Sequence, residues 1–82
     1  MTIIIGYLDA YELAELTEAD LKIEAIRLNP TAFTKLETVW AVEHRNSMLR
    51  AVSDRLVSSG AINKGDDWEY SILDGVIKEP SD

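Results

Sequence analysis

The sequence predicts an α+β chain, mostly helical, and three observations predict it. The stretch 31–60 contains neither glycine nor proline before its last residue. Two isolated β-rich segments, Thr2–Ile5 and Trp68–Glu79, flank the helical middle. A run of acids with helical spacing lies between the first of these and the long middle stretch. The expected order is therefore a short N-terminal strand, two acidic helices, one long or kinked central helix and a C-terminal β-hairpin. An all-α alternative makes Asp67 to Leu73 helical instead. All 82 residues read as one small domain, with a frayed tail at 80–82.

Taken in order, Thr2 to Ile5 has the β-branched density of a strand, and Gly6 ends it. Three consecutive isoleucines read as a segment covered on both sides. Tyr7 to Glu15 turns helical, with Tyr7, Tyr11 and Ala14 on one side and acids opposite. Thr17 reads as the N-cap of a second helix, with Glu18 and Asp20 in its first turn, where the helix dipole favours negative charge. Leu21, Ala25 and Leu28 form that helix's buried stripe, widened by Ile23 and Ile26. Asn29-Pro30 closes it, because the residue before proline avoids helical geometry.

For the long segment, Asn29 reads as N-cap, Pro30 as first helical residue and Gly60 as terminator. Its apolar residues do not keep to one side. At about 100° per residue, Phe33, Leu36, Val39 and Trp40 gather on one face, and Val42, Leu49, Val52 and Leu56 on roughly the opposite one. Thirty helical residues would span about 45 Å. A compact chain of this length is only about 30 Å across. The helix must therefore break near His44-Arg45-Asn46-Ser47, or protrude and be covered by another chain. Beyond a polar connector, Asp74-Gly75 reads as a two-residue hairpin turn that sets Leu73 opposite Val76 and Ile72 opposite Ile77. Trp68, Tyr70, Ile72 and Ile77 would then share a face, and the N-terminal strand could add to the hairpin.

Composition narrows the function classes. The net charge is −7, and the six acids from Asp9 to Glu24 contrast with five bases between Arg27 and Arg55. Without a basic cluster, nucleic acid and anionic lipid are unexpected ligands, because phosphate neutralisation drives such binding. With no cysteine there is no disulfide, thiolate nucleophile or cysteine metal site. The Ile3-Ile4-Ile5 run is too short to span a bilayer and lacks the pattern of a signal peptide, so a cytoplasmic protein is expected. Domains of this size are marginally stable alone, which favours oligomerisation or a bound partner.

Chemistry-bearing constellations are sparse. His44, the one histidine, has no recognisable nucleophile beside it. Trp40, His44 and Met48 form a helix strip better suited to contact than to catalysis. Glu12 with Glu15, and Asp20 with Glu24, could converge on a metal if the first helices pack together. The Glu-x-x-His pattern of di-metal bundles is missing, since Ala41 stands three before His44. The four glycines are scattered and form no phosphate loop. Arg45, Arg50 and Arg55 spiral round the helix. Their ordinary role is salt bridging, for which Asp54, Glu43 and the acidic N-terminal helices are the candidates.

The expected function is therefore that of a non-enzymatic interaction, assembly or accessory protein acting through its long helix. It would be a homo-oligomer or bind a protein partner, with no cofactor and no metal. The partner-binding candidates are Trp40, His44, Arg45, Met48, Leu49, Val52 and Arg55, since Trp and Arg dominate interface energetics. The alternative is a small acidic inhibitor that occupies a basic, nucleic-acid-binding site on a target. A carboxylate metal enzyme is the third and most remote reading.

Overall fold

The computed structural model describes residues 3–80. The expected start of the first strand at Thr2, and the tail beyond Pro80, lie outside the described residues. The chain runs β1 (Ile4–Tyr7), α1 (Ala10–Leu28), a short 3-10 turn (Pro30–Ala32), α2 (Lys35–Ser58), β2 (Glu69–Tyr70) and β3 (Val76–Lys78). The three strands form one antiparallel sheet in the order β1-β3-β2, so the N-terminal strand does join the C-terminal hairpin. This is the α+β class that the sequence predicts.

The first strand runs through Gly6, its expected end, to Tyr7, where the backbone pairs with Val76 and is not yet helical. The helical part departs from expectation at both starts. The two acidic helices are one, α1, and Thr17 lies inside it. Nothing interrupts the chain between Ala10 and Leu28, and the stripe Glu12, Leu16, Ala19 is buried straight across the expected break. The cap lies earlier. Asp9 accepts from the Glu12 N–H (2.7 Å), and the Asp9 N–H donates to Glu12 Oε1 (2.9 Å), which makes a full capping box. The same device starts α2. Thr34 Oγ1 accepts from the Glu37 N–H, and Glu37 Oε1 accepts from the Thr34 N–H, both at 3.2 Å. Asn29-Pro30 therefore ends α1 and opens only the 3-10 turn.

The long helix does not break. α2 passes through His44 to Ser47 without interruption, and its 24 residues span about 36 Å at 1.5 Å each. The molecule measures 42 × 24 × 24 Å, so the helical hairpin projects from the sheet. At the far terminus Gly60 has φ 82°, the Gly60 N–H donates to Val57 O (3.1 Å), and the Ala61 N–H to Leu56 O (3.0 Å). That is a Schellman closure, with glycine where a left-handed residue is required.

The core sits at the sheet end. Leu8, Leu16, Met48, Val52, Leu56, Ile62 and Ile77 are buried together, with Ile5, Leu13, Leu49, Trp68 and Tyr70 packed around them. β1 is an edge strand: only Ile5 of the isoleucine run packs against this core, while Ile3 and Ile4 are exposed. The expected two-sided cover is therefore absent. In the hairpin, Gly75 has the positive φ required of it (72°), but the connection is five residues long and not two. Tyr70, not Ile72, stands opposite Ile77. Ser71 Oγ accepts from the Leu73 N–H and Asp74 Oδ1 from the Val76 N–H, which stabilises the longer loop. A slip of two residues keeps the same side chains on the same face, so Trp68, Tyr70 and Ile77 still point to the core.

These caps make a discriminating prediction. Asp9→Ala and Thr34→Ala should each lower stability by about 1 kcal/mol. Thr17→Ala, inside α1, should change it by less than about 0.5 kcal/mol, because alanine is the better helix former. Urea denaturation midpoints of the three variants check this ordering.

Candidate interaction surface

Antiparallel pairing of α1 and α2 brings the acids of one against the bases of the other. Arg55 Nη2 donates to Glu12 Oε1 (2.7 Å) and Arg55 Nε to Glu12 Oε2 (3.0 Å). His44 Nε2 lies 2.7 Å from Glu15 Oε2, and Arg45 Nε donates to Asp20 Oδ1 (2.8 Å). Further along, Lys22 Nζ stands 3.6 Å from Glu37 and 5.3 Å from the centroid of Trp40, whose ring stacks on His44 at 4.9 Å. The charge contrast between the two halves of the sequence is thus largely internal.

Tyr70 extends this system to the sheet. Its hydroxyl donates to Asp20 Oδ2 (2.7 Å), and the Arg45 guanidinium lies 5.9 Å from the ring centroid. Burial raises the Tyr70 phenol above its ordinary value, and the bond to the Asp20 carboxylate raises it further.

The seven partner-binding candidates are distributed as follows. Met48 and Val52 are buried in the chain's own core, with Leu49 packed beside them, so in this conformation Met48 and Val52 offer nothing to a partner. His44, Arg45 and Arg55 hold α1 carboxylates. Trp40 remains substantially exposed. The surface that sequence reasoning missed lies farther out. Leu36 is 80% and Leu28 70% exposed, and Leu21, Val39 and Val42 are exposed as well. From Leu21 of α1 round to Trp40 of α2 no described side chain is fully buried, although that span holds Phe33, Ile23 and Ile26 too. An exposed concavity at Thr34, Lys35, Leu36 and Val39 is lined almost wholly by apolar surface. The clue in the sequence was the first of the two opposed apolar faces. Of the second face, Leu49, Val52 and Leu56 turned to the core, while Val42 stayed outside with Leu36, Val39 and Trp40 of the first. Leu21 and Leu28, expected in a buried stripe, are exposed because α2 covers that part of α1 only thinly.

A groove of about 710 Å³ runs beside Tyr70, bounded by Asp20, Arg45 and Leu49 of the helices and by 66–73 of the C-terminal segment. Among the described residues, no group of three or more His, Asp or Glu is placed to hold a metal ion. No described helix is long and apolar enough to cross a membrane. Comparison of the chain with family models, curated proteins and solved structures finds no match.

Two measurements probe the internal network. Arg55→Met strips a nearly buried carboxylate of its partner and should lower stability by about 1–2 kcal/mol, the water around the guanidinium moderating a loss that reaches about 3–5 kcal/mol in a dry site. Glu12→Gln added to it should recover part of that loss, as a double-mutant cycle by chemical denaturation would show. For Tyr70, a phenol with a folded-state pKa above its unfolded value contributes stability that is complete below the unfolded value, about 10, and is lost as pH rises through the folded one. Alkaline melting curves should therefore fall less steeply for Tyr70→Phe than for the parent chain.

Proposed function

We propose that the protein is a non-enzymatic assembly protein that self-associates through the projecting half of its helical hairpin. The observation that supports this most is the set of exposed apolar residues there: Leu21, Leu28, Leu36, Val39, Trp40 and Val42. They are not confined to one side of the hairpin, since Leu21 and Leu28 lie on α1 and the others are spread round α2. A helix pair apolar on several sides is the pattern of a covered element, not of a free one. With side chains of about 150–200 Å², the set exposes on the order of 600 Å² summed over all its sides, so an interface of the standard roughly 800 Å² per partner would wrap the tip and not cover a single face.

A second copy of this chain is the occupant that the charges favour. The same stretch carries both signs in close alternation, with Lys22, Arg27 and Lys35 among Glu24, Glu37 and Glu43. Such a surface can complement itself across a two-fold axis, each base meeting an acid of the partner. The small core at the other end of the molecule gives association a thermodynamic role as well. The acidic-inhibitor alternative draws less support, because Glu12, Glu15 and Asp20 already engage bases of α2.

Light scattering coupled to size-exclusion chromatography tests the proposal. The parent chain should elute as a dimer or higher oligomer at micromolar concentration. Leu28→Asp and Leu36→Asp, both at exposed positions, should shift it to a monomer with unchanged helical circular dichroism. A parent chain that is monomeric and fully folded throughout the concentration series would overturn self-association.

A further inference from the structure

The two edges of the sheet are treated differently. At β1 the ladder is irregular between Ile4 and Gly6, and Arg55 Nη2 donates to Tyr7 O (3.0 Å). A bulge and a covering charge are both ways in which natural sheets blunt an edge. β2 has neither. The Ser71 N–H donates to Val76 O (3.1 Å) and Tyr70 stands opposite Ile77. Alternation in an antiparallel ladder then turns the N–H and C=O of Tyr70 away from β3, toward the open side.

The groove of about 710 Å³ lies beside that open side. Leu49 and Arg45 form its helical wall, and Trp68 and Tyr70 its sheet wall. Tyr70 is held in place by its bond to Asp20, so the edge is set before any ligand arrives. The rim carries Asp66, Asp67 and Glu69, all exposed and none in an ion pair among the described residues.

We propose that this groove takes an extended lysine- or arginine-rich segment of a partner protein as a fourth strand beside β2. Its backbone pairs with the N–H and C=O of Tyr70, the mode by which exposed sheet edges capture peptides. Its alternate side chains divide between the two faces of the extended sheet, apolar ones covering Leu49 and Trp68 and basic ones reaching the acidic rim. Charge decides the occupant. The rim is acidic, the whole chain carries −7, and a second copy would bring like charge to the groove. This site is separate from the projecting end of the hairpin and does not depend on self-association there.

An alternating Lys–Val octapeptide is the probe, with its Glu–Val counterpart as control, both fluorescein-labelled and titrated with the full chain by anisotropy. The Lys–Val peptide should bind saturably and slow hydrogen exchange of the Tyr70 amide by NMR. Binding should weaken about tenfold or more in a variant combining Asp66→Asn, Asp67→Asn and Glu69→Gln, whose fold circular dichroism checks. Absence of saturable Lys–Val binding would overturn the site, as would equal binding of Glu–Val. Binding that leaves Tyr70 exchange unchanged, or that persists undiminished in the triple variant, would overturn strand addition at this edge.

Discussion

One buried carboxylate connects the parts of this molecule. Glu12 is only 7% exposed and is the one charged residue buried among the described residues. A carboxylate in that position is stable only when its oxygens are fully engaged. Here they accept from the Asp9 N–H and from two nitrogens of Arg55. The bonds serve two levels of structure. The first starts α1, the second and third fix α1 against the end of α2, and Arg55 then reaches Tyr7 O at the end of β1. Local capping, helix pairing and attachment of the first strand thus all run through the Glu12–Arg55 pair. The core around Leu16, Val52, Leu56 and Ile77 lies at this same end of the hairpin.

Away from that junction the interactions thin out. The middle of the helix pair has Ala19 and Ala41 buried, flanked by the Glu15–His44 and Asp20–Arg45 contacts. Farther out, Lys22–Glu37 is a half-exposed pair and Glu24–Arg27 a surface pair within one helix, each of which contributes about 0–1 kcal/mol. What starts α2 there is its own capping box, which also draws the Glu37 carboxyl below its ordinary range, chiefly through the Thr34 N–H. Stability therefore declines from the sheet toward the tip, and the segments that open first in proteins are those with few buried apolar contacts. A partner covering the tip would act where the chain's own packing is weakest.

Much of the fold was legible in the sequence. The class, the presence of a terminal strand, the closing role of Gly60 and the conformation of Gly75 follow from local chemistry, and the strand's addition to the hairpin from the hairpin's need of a third strand. The errors share a cause. Asp9-x-x-Glu12 and Thr34-x-x-Glu37 were both readable as capping boxes, yet Thr17 and Asn29-Pro30 offered competing local signals. Only the tertiary stripe through Leu16 and Ala19 decides that α1 runs across Thr17. The hairpin register failed for a similar reason. Asp74-Gly75 suits a two-residue turn, but the pairing of Tyr70 with Asp20, fifty residues away, goes with the longer loop. Of the partner-binding candidates, His44, Arg45 and Arg55 already hold carboxylates of α1, and Met48 and Val52 lie in the core, contacts that only the pairing of the two helices reveals.

The two opposed apolar faces of α2 are best understood through its length. A helix that stays within a compact body keeps one face inward from end to end. α2 instead begins outside that body and ends inside it, so its inward face is filled only over the second half, at Met48, Val52 and Leu56. Its first half buries Ala41 alone and directs Leu36 and Val39 outward. A chain gains nothing from exposed leucines on an isolated protrusion, since each costs solubility and adds no packing. The same reasoning separates the two ends chemically. With Glu12, Glu15 and Asp20 of α1 engaged by bases of α2, the acids on the groove rim that have no ion pair among the described residues come from the C-terminal segment, beside the open edge of β2. The tip is apolar with mixed charge and the sheet edge is acidic, so a surface that suits one end is a poor match for the other.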